Sequence, residues 1–134
     1  MSGISSLKTL IRSINPKLVE NEFVFCTISE KQFSQSKVNP LLMFKEEEGI
    51  TLIVERKVAE FNSLAYSRIW AWIILSVHSD LSAIGFLAAI TKKLAKSGIS
   101  VNIISAYYHD HLFVPVEQAN EAMILLEGLS SSKK

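Results

Sequence analysis

The chain has 134 residues, 49% of them hydrophobic, with 14 Lys and Arg against 13 Asp and Glu. That length and balance suit a compact protein of one or two small domains and argue against an enzyme built around a large cofactor. No basic patch with interleaved aromatics marks a nucleic-acid surface, and no apolar run reaches the roughly 20 residues of a bilayer span, so a cytoplasmic protein without nucleic-acid or membrane partners is expected.

Leu7, Leu10, Ile11 and Ile14 recur at helical spacing and stop at Asn15 and Pro16. Glu22 to Ile28 then reads as a strand, in which the lone Cys26 is expected to be a buried, inert thiol. Ser29 to Asn39 is polar and reads as a surface loop. Leu41 to Lys45 and Ile50 to Glu55 form a hairpin across Glu46, Glu47, Glu48 and Gly49, whose carboxylates face solvent. Val58, Ala59 and Phe61 suggest a short helix, and Asn62 to Ser67 a link to the second half.

The next strand carries apolar side chains on both faces. Ile69, Ala71, Ile73, Leu75 and Val77 share one, and Trp70, Trp72, Ile74, Ser76 and His78 the other. Helices cover one face of a small α+β sheet, so the tryptophan face calls for a second sheet, domain or subunit, and association is expected; the alternative is a central strand of one three-layer domain. Ser79 or Asp80 can cap a helix beginning near Leu81, with a buried stripe of Leu81, Ile84, Leu87, Ala88, Thr91, Leu94 and Ala95. Gly98 should end it by letting Ile99 fold back on Leu94. Gly85, inside the first turns of that helix, has two readings: close approach of a ligand, or tight helix packing.

Ser100 to Tyr108 reads as a strand and Leu112 to Pro115 as its antiparallel mate, with His109 and Asp110 in or beside a tight turn. The final helix, Glu117 to Leu129, buries Ala119, Ala122, Met123 and Leu126. A right-handed crossover would gather His78, the helix start at Ser79 to Gly85, and Tyr108 to His111 at one sheet edge, with Asn102 at the far end of its strand. Backbone N–H groups at such a helix start suit a carboxylate, while the histidines and acid offer a second possibility, a metal held by His78, His109, Asp110 and His111. Those three residues of the hairpin also have a purely structural use at a turn. The second half lacks a closing strand, and Phe23 to Ile28 is the expected donor.

Several segments together resemble the small bacterial ACT-domain proteins long filed as a domain of unknown function. They are Phe23-Val24-Phe25-Cys26-Thr27, Glu47-Glu48-Gly49-Ile50-Thr51-Leu52, and Val77-His78-Ser79 followed by Leu81, Ala83, Ile84 and Gly85. Gly98-Ile99-Ser100-Val101-Asn102 and the run from Tyr107 to Val116 complete the set, the last being the most specific. The resemblance implies an α+β fold of two ferredoxin-like βαββαβ halves, 1–68 and 69–134, with antiparallel sheets covered by helices on one face. It also implies halves that pair through sheets or helices and bind an amino acid or similar small effector at the domain interface. The expectation is a non-catalytic regulatory module, a homodimer without a cofactor; the alternatives are a metal-binding or metal-dependent enzyme and a purely structural dimerisation module. From the helix start and the hairpin, the expected ligand site comprises Ser79, Asp80, Leu81, Ile84, Gly85, Phe86, Asn102, His109, Asp110 and His111, with Phe86, Asn102 and the partner surface setting specificity. Two positions depart from the pattern: Asp80 replaces a second serine and Phe86-Leu87 a leucine-threonine pair, altering polarity and volume near Gly85.

Overall fold

The computed structural model describes residues 7–76 and 85–130. Its elements are α1 (Leu7–Ser13), β1 (Pro16–Ile28), α2 (Glu30–Gln35), β2 (Leu42–Lys45), β3 (Ile50–Glu55), α3 (Arg56–Phe61), β4 (Trp70–Leu75), α4 (Phe86–Lys96), β5 (Asn102–Ser105), β6 (Asp110–Pro115) and α5 (Ala119–Ser130). They form two compact units, one of Met1–Glu20 with Ala71–Lys134 and the other of Asn21–Trp70. The fold is mixed α+β with two ferredoxin-like units. The units cut the chain elsewhere than the sequence halves, because β1 divides after Glu20.

In the unit of Asn21–Trp70 the strand order is β2-β3-β1, antiparallel throughout. The register pairs Phe23 with Glu55 and Ile28 with Ile50, so Val24, Cys26 and Ile28 share a face with Ile50, Leu52 and Val54. That period-two face and Ala59 of α3 make the core. Cys26 lies in it, and burial pushes its thiol up from the ordinary value. Gly49 fits the hairpin because a β-carbon there would meet Ile28 O and Thr27 Oγ1, each at 3.1 Å. Within the expected loop after Ile28 the chain instead forms α2, started by a capping box: Ser29 Oγ accepts from Gln32 N–H at 3.0 Å while Gln32 Oε1 accepts from Ser29 N–H at 3.0 Å. Arg56 joins Glu22 at 2.8 Å and Glu60 at 3.1 Å, and Tyr66 O–H donates to Glu60 at 2.7 Å. The Tyr66 hydroxyl, and after it Arg56, hold the Glu60 carboxyl below the usual range.

The other unit answers the missing-strand question differently from the sequence reading. Its strand order is β1-β4-β6-β5, and the part of β1 that belongs to it ends at Glu20. Pro16–Glu20 is therefore the closing strand, and Phe23 to Ile28 pairs with β3. Strand β1 starts at Pro16, not Glu22; proline is tolerated as a first strand residue because it need not donate there. Leu18 packs on the core, and Ser76 N–H reaches Asn15 O at 3.4 Å. Ala71, Ile73 and Leu75 of β4 form that core with Leu112 and Val114 of β6, Ala119, Ala122 and Leu126 of α5, and three residues of α4.

Those three are Phe86, Ile90 and Leu94, which corrects the expected stripe. Ala88 and Ala95 are exposed, because Phe86 and Ile90 remove far more apolar area from water than alanine or threonine would. The helix ends as expected. Gly98 takes φ +74°, Ile99 N–H donates to Leu94 O at 3.1 Å, and both Ile99 and Leu94 are buried. Trp70, Trp72 and Ile74 are each half-buried within the chain. No helix among the described residues is long and apolar enough to cross a membrane.

Candidate functional site

Ser79, Asp80, Leu81 and Ile84 of the expected ligand site, and His78 of the alternative metal set, lie outside the described residues. The rest of the site divides between the start of α4 and the β5–β6 hairpin.

At the start of α4, Gly85 is the N-cap with φ +85°, and it makes no side-chain cap hydrogen bond. Its carbonyl accepts the first helical bond, from Ala89 N–H at 3.0 Å. A left-handed residue does not continue an α-helix, so α4 begins at Phe86; the expected start near Leu81 lies outside the described residues. The same angle accounts for the glycine. Among the described residues a β-carbon there would meet only Leu7 Cδ2, at an ordinary 3.7 Å, so the positive φ is by itself a sufficient reason for glycine. Phe86 was expected to shape ligand specificity; it is instead buried in the core, turned there by the helical register that Gly85 begins.

The hairpin tip is also displaced from the sequence reading. Ala106 N–H donates to His109 O at 3.1 Å, closing a turn over Tyr107 and Tyr108, which are both exposed with ring centroids 4.9 Å apart. Asp110 and His111 belong to β6, and β5 is only Asn102–Ser105. Strand alternation then separates the three polar residues. Asp110 falls on the helix-covered side with Leu112 and Val114, where its Oδ1 accepts from Ser105 Oγ at 2.8 Å. His111 falls on the opposite side with Phe113, and its Nδ1 accepts the indole N–H of Trp72 at 3.0 Å. His109 has a buried Nδ1 without a hydrogen-bond partner among the described residues.

Of the alternative metal set, only His109, Asp110 and His111 lie among the described residues. Asp110 and His111 point to opposite faces, Nδ1 of His111 is engaged by Trp72, and among the described residues no group of three His, Cys, Asp or Glu is placed to hold a metal ion. Asn102 pairs with Phe113 across the hairpin, three register pairs from Asp110 opposite Ser105, so it lies at the far end of β5 as expected. Trp72 and Ser105, the residues that engage His111 and Asp110, were not singled out from sequence. The signal was present in the alternation of β4 and in the symmetric hairpin about Tyr107 and Tyr108.

A separate cavity of about 220 Å³ opens in the Asn21–Trp70 unit, lined by Ile28, Gln32, Gln35, Ser36, Val38, Asn62 and Leu64. Its lining is uncharged. It offers no counter-ion to a zwitterion.

Two ferredoxin-like units define the protein as a tandem α+β module. ACT-domain family profiles match residues 2–71 and 70–128, and the chain belongs to the ACT-domain family. A Vibrio cholerae protein of unknown function, called a possible transport protein, is 40% identical over 97% of this chain and 100% of its own, with a TM-score of 0.86. The regulatory subunit of aspartate kinase from Thermus thermophilus, in its ligand-free form, is 11% identical over 87% of this chain and 99% of its own, with a TM-score of 0.64. E. coli aspartokinase III, in complex with aspartate and ADP, is 15% identical over 90% of this chain and 33% of its own, with a TM-score of 0.57. The last two likenesses concern the fold alone. No functionally curated protein matches the chain.

Proposed function

We propose that the chain is a non-catalytic regulatory module that binds an amino acid or a similar small effector at the edge where β4 leads into α4. The observation that carries this reading is the pair of ACT domains in tandem. The backbone N–H groups of a helix's first turn are suited to a carboxylate, and the helix dipole favours negative charge there. The fold shared with the aspartate kinase regulatory subunit supports a regulatory role for this chain. Ser79, Asp80, Leu81 and Ile84 belong to the proposed site with Gly85 and His109; Asp110 and His111 lie on opposite faces of β6, so one copy supplies one of them, and Asn102 contributes only from a neighbouring domain or a second copy. Effector binding then stabilises one arrangement of the module over another.

The proposal includes a cytoplasmic homodimer. Edge strand β2 supports it: its Met43 and Phe44, and Leu41 just before it, are exposed.

A thermal-shift screen of the common amino acids tests the effector directly. Ligand at 100 times its dissociation constant adds about 2.7 kcal/mol, so one or a few compounds should raise the melting temperature clearly. A flat screen, repeated by calorimetry at millimolar ligand, overturns the reading.

A further inference from the structure

We propose that Trp72 and His111 form a proton-operated latch between β4 and β6, closed at neutral pH and opened by mild acid. The inference goes beyond the effector reading and does not rest on it.

An indole N–H can only donate, so the Nδ1 that receives it from Trp72 at 3.0 Å must carry a free lone pair. The neutral ring of His111 therefore bears its proton on Nε2. An incoming proton has one place to go, the lone pair already occupied by the indole. Once protonated, Nδ1 becomes a donor facing a donor, and the cross-strand bond is lost.

The indole is not free to move without consequence. It lies 5.7 Å from the imidazole and stacks on Phe113 at 6.1 Å with the planes 15° apart, and Phe113 is 1% exposed. Opening the bond thus acts on a buried aromatic at the middle of β6. The charged surroundings are few. On β6, His109 opposes a second positive charge, whereas Asp110 favours one from the opposite face, where Ser105 holds it. Trp72 and Ile74 of β4, and Asn102 and Ile104 of β5, share the face of His111 and none of them titrates in this range. Burial adds to the neutral ring's advantage, so His111 stays below the ordinary histidine value.

Nuclear magnetic resonance on the full chain, labelled with nitrogen-15 tryptophan, tests the latch between about pH 8 and about pH 5, where histidine titrates. The indole N–H resonance of Trp72 should shift with the same midpoint as the ring protons of His111, while that of Trp70 does not follow. A Trp72 resonance that stays put through the His111 titration, or that follows His109 instead, overturns the proposal. His111→Gln retains an acceptor and should abolish the pH response of Trp72. Trp72→Phe removes the competing donor and should move the His111 midpoint upward. An unchanged midpoint in Trp72→Phe sinks the latch even where His111→Gln fails to fold.

Discussion

Ser105 and Asp110 face one another across the β5–β6 hairpin, and the Ser105 hydroxyl donates to the buried Asp110 carboxylate at 2.8 Å. The pair closes the ladder just before the turn that lifts Tyr107 and Tyr108 into solvent. Hydrogen bonds to charged groups contribute about 1.5–3 kcal/mol, so Asp110→Ala should lower stability by about that much in urea denaturation. Asp110→Asn keeps the acceptor and should lose less. Equal losses in the two variants would mean that the charge, and not the bond, stabilises the hairpin.

Gly85 meets the start of α4 at φ +85°, with room for a methyl group beside Leu7. The cost of a side chain there is a backbone cost, about 1–2 kcal/mol for a left-handed residue. Gly85→Ala should therefore destabilise by that amount, and Gly85→Asn by less, because asparagine tolerates the left-handed region. Denaturant midpoints with unchanged slopes would report it. The same cost means that Gly85→Val disturbs folding as well as any ligand site, so loss of effector binding in that variant would not be diagnostic.

Much of the fold was legible because its signals are local. The β4 face of Ala71, Ile73 and Leu75, the Gly98 cap and the Glu46–Gly49 hairpin all follow from side-chain alternation or from one glycine. What was missed depends on distant competition. The stripe of α4 could be phased in two ways, and only packing against β4 and α5 selects Phe86, Ile90 and Leu94 over Ala88 and Thr91. The hairpin apex was misplaced by two residues, since Tyr107 and Tyr108 have strand propensity and histidine and aspartate suit turns. That slip matters for chemistry: moving Asp110 and His111 from the turn into a strand sends these two members of the metal set to opposite faces. The capping box at Ser29 and Gln32 was readable but lay in a segment too polar to suggest a helix.

The depressed value of His111, caused first by its burial, gives stability a pH dependence of known sign. In the unfolded chain the ring binds a proton at the ordinary histidine value, so between that value and the folded one the unfolded state holds more protons. Stability should be full above the ordinary value, fall as pH drops through the window towards the folded value, and level off below it. Urea midpoints across that range should show the fall in the wild type and a weaker one in His111→Gln. A midpoint that rises on acidification would reverse the assignment.

Phe44 is 64% exposed on an edge strand whose neighbours Leu41 and Met43 are also open to solvent. If the proposed dimer uses this edge, a charge placed there should oppose it while sparing the core, because Phe44 contributes little to the unit's own packing. Phe44→Glu is expected to lower the sedimentation coefficient to that of a monomer at equal concentration, with the melting temperature of the monomer preserved. A dimer that survives the change uses another surface.

The division of β1 makes the sharpest demand on the fold. Pro16–Glu20 lies with the unit of Ala71–Lys134, where Leu18 packs on the core and Asn15 O receives Ser76 N–H. Removing residues 1–20 takes away the strand beside β4, uncovers its backbone groups and leaves the Ile73 and Leu75 core without Ile14 and Leu18. Buried backbone groups without partners are costly, and losing two aliphatic side chains from a core costs about 2–5 kcal/mol each. A chain beginning at Asn21 should thus keep protected amides in β1–β3 but lose hydrogen-exchange protection in β4 and β6. Protection retained in β4 and β6 would show that the unit closes its sheet without the first twenty residues.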